Sequence, residues 1–407
     1  MNLHIDPWSY IPKQEYRERQ DRARKLAQKA GLDGLVVFSR GGAFVDMHAA
    51  VLYLTNHYSQ QPYVADHHNI WSACAHGVVV LPVDGPTILM VDTGYWRPDL
   101  VVADDVRAGV RVIENTVQAL KDSNLFGKRI GLVGTGFMTA AAYIGLINAL
   151  GDTSQLVVQD DLIERLQMIK SPAEQNIIRT TCDIGSRAIE AMMDAAVTGA
   201  TEADAVRAAF GVLVPEGAVM WDAACNSGSN AHLYTWARIP SHDAVRPMEK
   251  GEYFHVDCYG CFGGYAWDFG RTRVIGDQPT DEQHAYLEAI IDAIETMCKS
   301  IKPGKTAGDI GETYLNWVEE TPLIKSLLAM NADEEEGFPA VGHGLGMGWE
   351  KPWIMKGEST ILQPGMYLAI ECLWGHESIG GMFYEENGLV TEDGFEILSK
   401  SKKRYWK

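Results

Sequence analysis

The stretch YFHVDCYGCFGGYAWDFGRTRV sets two aspartates on either side of a Gly-rich turn, within runs that favour buried strands. A turn centred between Phe262 and Gly263 puts position 257 opposite position 268. Asp257 and Asp268 are therefore expected as a directly facing pair, their Cβ atoms about 4.5–5.5 Å apart on one face. Like charges so placed oppose pairing. Beside Phe254, Val256, Trp267 and Phe269 they are costly without a cation or a shared proton. The stretch GMYLAIECLWGHESIGGMFYEENGLVTEDG has the same form. A loop centred near Ser378 sets Glu371 opposite Glu385 and turns Glu386 to the other face. Upstream, GHGLGMGWEKPW adds His343 in a Gly-rich run.

Two divalent ions neutralise four carboxylates. Carboxylates bridging two ions roughly 3.5 Å apart form a common hydrolytic centre. Oxygen donors with one imidazole suit Mn, Fe, Co or Zn rather than a thiolate-selected metal. Any one of these acids alone reads as a solvent-facing strand residue; two opposed pairs and a Gly-flanked histidine favour the site. Cys258 and Cys261 form a C-x-x-C with no second pair, and small buried side chains are the expected reading.

The elements that must carry these residues follow from the patterning. Up to about residue 162, strand and helix signals alternate: GLVVF and RIGLVG read as buried strands, and TAAAYIGLINAL as a helix. GVVVLPVDGPTILMVD reads as a hairpin turning at Asp84-Gly85. No G-x-G-x-x-G follows these strands, which argues against a dinucleotide site. The joint RLQMIKSPAEQNIIR carries a capping box, Ser171 with Glu174, and Pro172 at the first helical position. Thr201 with Asp204 and Thr280 with Gln283 start two further helices. The expected architecture is α/β plus α+β: a small domain over 1–162, then a domain over 163–407 in which helices cover a curved antiparallel sheet.

With 407 residues, 46% hydrophobic and 22% charged, the chain has the composition of a globular two-domain protein. A net charge of −19 argues against a nucleic-acid partner. No apolar run is long enough to cross a bilayer, and MNLHIDPWSY lacks a signal-peptide pattern. Seven scattered cysteines do not make a disulfide framework, so a reducing, cytoplasmic setting is expected.

The stretches VDCYGCFGGYAWDFGRT, GHGLGMGWEKP, LQPGMYLAIE and YEENGLVTEDG, with the joint MIKSPAEQNIIR, resemble the creatinase/prolidase/methionine aminopeptidase superfamily of pita-bread fold, in its Xaa-Pro peptidase and creatinase branch. The resemblance implies that Asp257, Asp268, His343, Glu371 and Glu385 hold two divalent ions. Asp268 and Glu385 would bridge them, and Glu371 would orient the attacking water. It makes His232 the substrate-side histidine. It further implies a homodimer in which the N-terminal domain lines the neighbour's site, where His67, His68 and Trp71 are candidates for a specificity loop. The implied activity is hydrolysis of a dipeptide or another small C–N substrate, with Glu371 as general base and then acid.

One departure bears on substrate. Peptidases of this family carry a second histidine in a pattern like H-G-x-G-x-x-x-H-E. Here Glu350 stands in that register, or Trp349 if one residue is deleted. Losing that electrophilic group compares with losing one oxyanion donor, about 3 kcal/mol. The departure resembles the dimethylsulfoniopropionate lyases of this fold, in which a carboxylate such as Asp257 or Glu350 would remove an α-proton. A small-amide hydrolase, as in ectoine hydrolase, is the other non-peptidase possibility. His376, Arg271, Tyr384 and Arg238 are further polar residues near the expected ligands, His376 in the loop between the two ligand strands.

Overall fold

The computed structural model describes residues 9–40, 49–59, 76–151, 156–234, 239, 241–276, 278–330 and 340–406. His67, His68, Trp71 and Arg238 lie outside the described residues. The chain divides into two compact units, Met1–Gln167 and Met168–Lys407.

In the first unit the described elements run α1 (Lys13–Lys29), β1 (Gly34–Arg40), α2 (Ala49–Thr55), β2 (His76–Pro82), β3 (Ile88–Val91), β4 (Asp105–Ala108), α3 (Val112–Asp122), β5 (Ile130–Val133), α4 (Ala140–Leu150), β6 (Leu156–Val158) and α5 (Asp161–Gln167). The strands form one mixed sheet, ordered β4-β3-β2-β1-β5-β6. The expected hairpin is present: Gly77 faces Val91 and Val80 faces Ile88, with Gly85 at φ +139° in the turn. β1 and β2 are buried along their whole length, as their continuous apolar runs require. The break between units falls after α5, five residues past the expected boundary at 162, because α5 packs on α1 and α2 of this unit.

The second unit contains α6 (Pro172–Ala195), α7 (Glu202–Glu216), β7 (Val219–Ser227), a 3-10 turn (Gly228–Leu233), β8 (Tyr253–Phe262), β9 (Tyr265–Val274), α8 (Asp281–Ser300), α9 (Ala307–Glu320), α10 (Pro322–Met330), β10 (Gly342–Leu345), β11 (Trp349–Trp353), β12 (Tyr367–His376), β13 (Gly380–Val390) and β14 (Phe395–Ile397). All three capping boxes form: Ser171–Glu174, Thr201–Asp204 and Thr280–Gln283.

Instead of one continuous curved sheet, two antiparallel sheets are hydrogen-bonded: β7-β8-β9 and β11-β10-β12-β13-β14. They meet where β9 runs beside β13, and side chains stitch the seam. Asn387 on β13 accepts from the Asp268 amide at 2.9 Å and donates to the Asp268 carbonyl. Thr272 Oγ1 donates to the Phe383 carbonyl and accepts from the Phe383 amide, both at 2.8 Å. Gly270 permits the approach: a Cβ there would lie 2.3 Å from the Phe383 ring and 2.1 Å from the Val256 oxygen.

Helices cover one face of each sheet. α6 packs on β8 and β9, and Gly185 leaves room for the buried Trp267 ring, which an added Cβ would meet at 2.6 Å. α8, α9 and α10 join Ile370, Cys372, Trp374, Met382 and Tyr384 in one apolar core. Side chains alternate along strands, so the odd-numbered partners Glu371 and Glu385 project from the face that this core leaves free.

Candidate metal centre

The β12–β13 ladder pairs Glu371 directly with Glu385, as the position of Ser378 predicts. The β8–β9 ladder corrects the expected register. Gly263 and Gly264 take the turn at φ +59° and +84°, so Asp257 faces Gly270 and Asp268 faces Tyr259. The offset is two residues, which preserves the face. Asp257 and Asp268 become diagonal neighbours on one face.

His343, on β10 beside β12, completes the cluster. Its Nε2 lies 3.6 Å from Asp268 Oδ2 and 3.9 Å from Glu371 Oε1. One donor atom each from Asp268, His343 and Glu385 fall within 4.8 Å of one another. Burial pushes the Asp257 carboxyl up to about 6. Burial, then the Asp257 charge, pushes Glu371 up to about 8. Asp268 and Glu385 are raised well above the usual range, first by burial and then by neighbouring carboxylates. Burial drives His343 down to about 4, so its ring is neutral and available as a ligand at physiological pH.

These residues fit divalent ions. Asp257 Oδ1 and Glu385 Oε1 are buried with no hydrogen-bond partner among the described residues. Acceptor-only oxygens in that state require a cation or a proton. A carboxylate-rich donor set with one imidazole is the chemistry of Mn, Fe, Co or Zn sites. Asp257, Asp268, His343, Glu371 and Glu385 could hold such ions.

The other candidates fall elsewhere. The backbone of His232 packs against Gly375 and Gly381, a pair four residues along the ladder from Glu371 and Glu385, roughly 13 Å away. Its Nδ1 lies 3.0 Å from the Ser229 carbonyl oxygen. Tyr234, two residues on, is what reaches the cluster. Its hydroxyl donates to Asp257 Oδ2, its ring stacks on His255 at 5.7 Å, and its backbone sits at φ +52°. His376 bonds Ser378 at 2.7 Å. It lies an odd number of residues from Glu371, hence on the opposite face. Arg271 is fully buried and pairs at 3.1 Å with Glu386, which faces away from the cluster as alternation requires. Tyr384 donates to the same Glu386 at 3.1 Å.

Glu350 and Trp349 part company on β11. Glu350 Oε2 accepts from Lys170 Nζ at 2.7 Å, and both side chains are under 10% exposed, at 8% and 2%. Its other oxygen accepts from the Met347 amide at 3.2 Å. Trp349 turns towards the cluster, and its indole Nε1–H donates to Asp268 Oδ2 at 2.7 Å. A bulge between His343 and Gly344 shifts the β10–β11 register, so counting along the chain does not decide which of the two faces inward. Tyr234, Asn387 and Lys170 carry no motif that marks them; each acts across a long sequence separation or a turn. The cysteine expectation agrees with the fold: Cys258 and Cys261 are free and buried, and burial pushes the Cys261 thiol up to about 12.

The family model for the creatinase/prolidase N-terminal domain matches residues 19–169. The model for metallopeptidase family M24 matches residues 176–392. Among curated relatives, the Xaa-Pro dipeptidase of Pyrococcus horikoshii is 25% identical over 294 residues, covering 70% of this chain and 79% of the relative. The probable dipeptidase PepE of Mycobacterium bovis is 28% identical over 273 residues, covering 66% and 68%. Among solved structures, dipeptidase PepE from Mycobacterium ulcerans superposes with a TM-score of 0.76 at 22% identity, covering 97% of this chain and 98% of that one. The fold is thus that of the creatinase/prolidase superfamily, an N-terminal creatinase-like domain followed by a pita-bread domain. No helix among the described residues is long and apolar enough to cross a membrane. With the M24 match spanning more than half its length, the chain belongs to metallopeptidase family M24.

Proposed function

We propose that this metal-dependent peptidase cleaves small peptides of the Xaa-Pro type, with Asp257, Asp268, His343, Glu371 and Glu385 as ligands of two divalent ions. The observation that carries this reading is the buried cluster itself, with two carboxylate oxygens left without a donor. The names of the relatives add weight: Xaa-Pro dipeptidase in Pyrococcus horikoshii and probable dipeptidase in Mycobacterium bovis.

Bound divalent ions would supply Lewis-acid polarisation of the scissile carbonyl and a water of lowered pKa. The chain's own groups do the rest. Glu371 is more open than Asp268 and His343, its side chain 19% exposed against 5% and 4%. It accepts the proton as water oxygen bonds to the carbonyl carbon. It then returns that proton to the nitrogen as the C–N bond breaks. Tyr234 holds Asp257 in place through its hydroxyl. The low exposure of Asp268 and His343 excludes bulk water from them.

A second reading is favoured by one observation. The stretch GMGWEKPW brings no second imidazole to the cluster, and Trp349 fills the space with a donor already committed to Asp268. This suits a small-amide hydrolase or a dimethylsulfoniopropionate lyase of the same fold. In a lyase, Glu371 or Asp257 is the base; Glu350 is held by Lys170.

The deciding experiment is turnover by the metal-loaded protein of a panel of Xaa-Pro dipeptides, dimethylsulfoniopropionate and small amides. Prolyl dipeptide cleavage supports the first reading, and inertness towards every peptide removes it. Metal analysis and light scattering on the same sample measure the two ions and the homodimer that belong to this reading.

A further inference from the structure

We propose that Trp349 is a positioning residue for Asp268, and that its indole N–H sets how tightly the carboxylate cluster holds a divalent ion. The inference rests on the reading of Asp268 as a metal ligand. The bond is short, 2.7 Å from Nε1 to Oδ2, and it is charge-assisted when Asp268 is ionised. An indole nitrogen is a donor only, so it cannot itself act as a ligand. It therefore holds Oδ2, the oxygen that lies 3.6 Å from His343 Nε2, and fixes the carboxylate against the imidazole.

The ring is held for this task from several sides. Tyr259 meets it edge-on at 5.2 Å and Trp221 packs on it at 6.4 Å, tilted by 45°. Tyr259 is the direct ladder partner of Asp268, so the indole packs against the residue opposite the carboxylate it serves. Behind it, the neighbouring Glu350 is tied to Lys170 at 2.7 Å, which pins β11 on its far side. On the backbone side of Asp268, Asn387 clamps both its amide and its carbonyl. Its main chain and one oxygen are thus fixed, the oxygen by the indole N–H. Without that N–H the carboxylate is free to rotate about its side-chain torsions, repelled by Asp257, Glu371 and Glu385. Loss of such an outer partner typically weakens metal binding about 10- to 100-fold.

The test is titration of metal-free full-length protein with Mn(II) or Co(II) by calorimetry, together with the visible spectrum of the Co(II)-loaded form. Trp349→Phe keeps the ring and removes the donor. The expected result is a Kd raised about 10- to 100-fold and an altered Co(II) spectrum, with unchanged thermal unfolding of the metal-free protein. Trp349→His, which restores a ring N–H, should recover part of the affinity. A Trp349→Phe Kd within twofold of the parent, with the same spectrum, overturns the proposal. Asp268→Asn separates this from failure of the ligand reading: if that variant binds metal as the parent does, the reading itself falls.

Discussion

Lys170→Met leaves a buried carboxylate without its counter-ion. Lys170 and Glu350 are 2% and 8% exposed, and their charged atoms are 2.7 Å apart. The Met347 amide is the other partner seen on Glu350. Methionine fills most of the lysine volume, so the change isolates the charge. Breaking a buried pair from one side costs about 3–5 kcal/mol. The pair lies in the unit Met168–Lys407. For a domain of that size 1 kcal/mol shifts Tm by roughly 2–4 °C, so a fall of about 10 °C is expected. Calorimetry following the transition of that unit measures it. The double variant Lys170→Met, Glu350→Leu removes both charges and should recover most of the loss, since an apolar pair of similar volume is close to neutral. A single variant within about 0.5 kcal/mol of the parent, or a double variant no better than the single, would refute the argument; the first is the size of an ordinary surface substitution.

Asp268→Asn should fold normally but lose bound metal and peptide turnover together; retention of both removes Asp268 from the ligand set. In metal-free protein, Glu371 is pushed up to about 8 and Asp257 to about 6, whereas unfolded carboxyls titrate near 4. The folded chain then holds more protons than the unfolded one at these two sites, so their contribution to stability is greatest below about pH 4 and is lost as pH rises towards 8. For Glu371 alone the change is on the order of 5 kcal/mol. Melts of chelator-treated protein at pH 5, 7 and 9 should show Tm falling at each step, beyond any change in the metal-loaded form, and a flat profile contradicts this. His57 has the opposite sign. Burial lowers it to about 4, so the unfolded chain protonates first and stability drops as pH falls from about 6.5 to 4. His57→Gln should flatten that acid limb in the N-terminal unit, and an unchanged limb counts against the assignment.

The parts of the site legible in the sequence are those governed by strand alternation. Glu371 and Glu385 pair as expected because the loop around Ser378 is symmetric about the ladder. For Asp257 and Asp268 alternation gives the right face but a register two residues out, because Gly263 and Gly264 both enter the turn. Alternation is blind to an error of two. The β10 bulge defeats counting in the same way, so the sequence leaves Trp349 and Glu350 as alternatives. Lys170 lies 180 positions from Glu350, and no local pattern announces such a pair. The helix starts were readable because capping is local chemistry within four residues.

The line along which β9 meets β13 has a mechanical consequence. Main-chain ladders resist shear through many equivalent bonds, but here the grip passes through side chains: Asn387, Thr272, and Arg271, which reaches the Glu385 carbonyl and the Glu386 carboxylate. Donor groups project from both banks of that fissure: Asp257 and Asp268 from one, Glu371 and Glu385 from the other. An ion gripping both sides would act as a rivet, so cargo and scaffold would stiffen together.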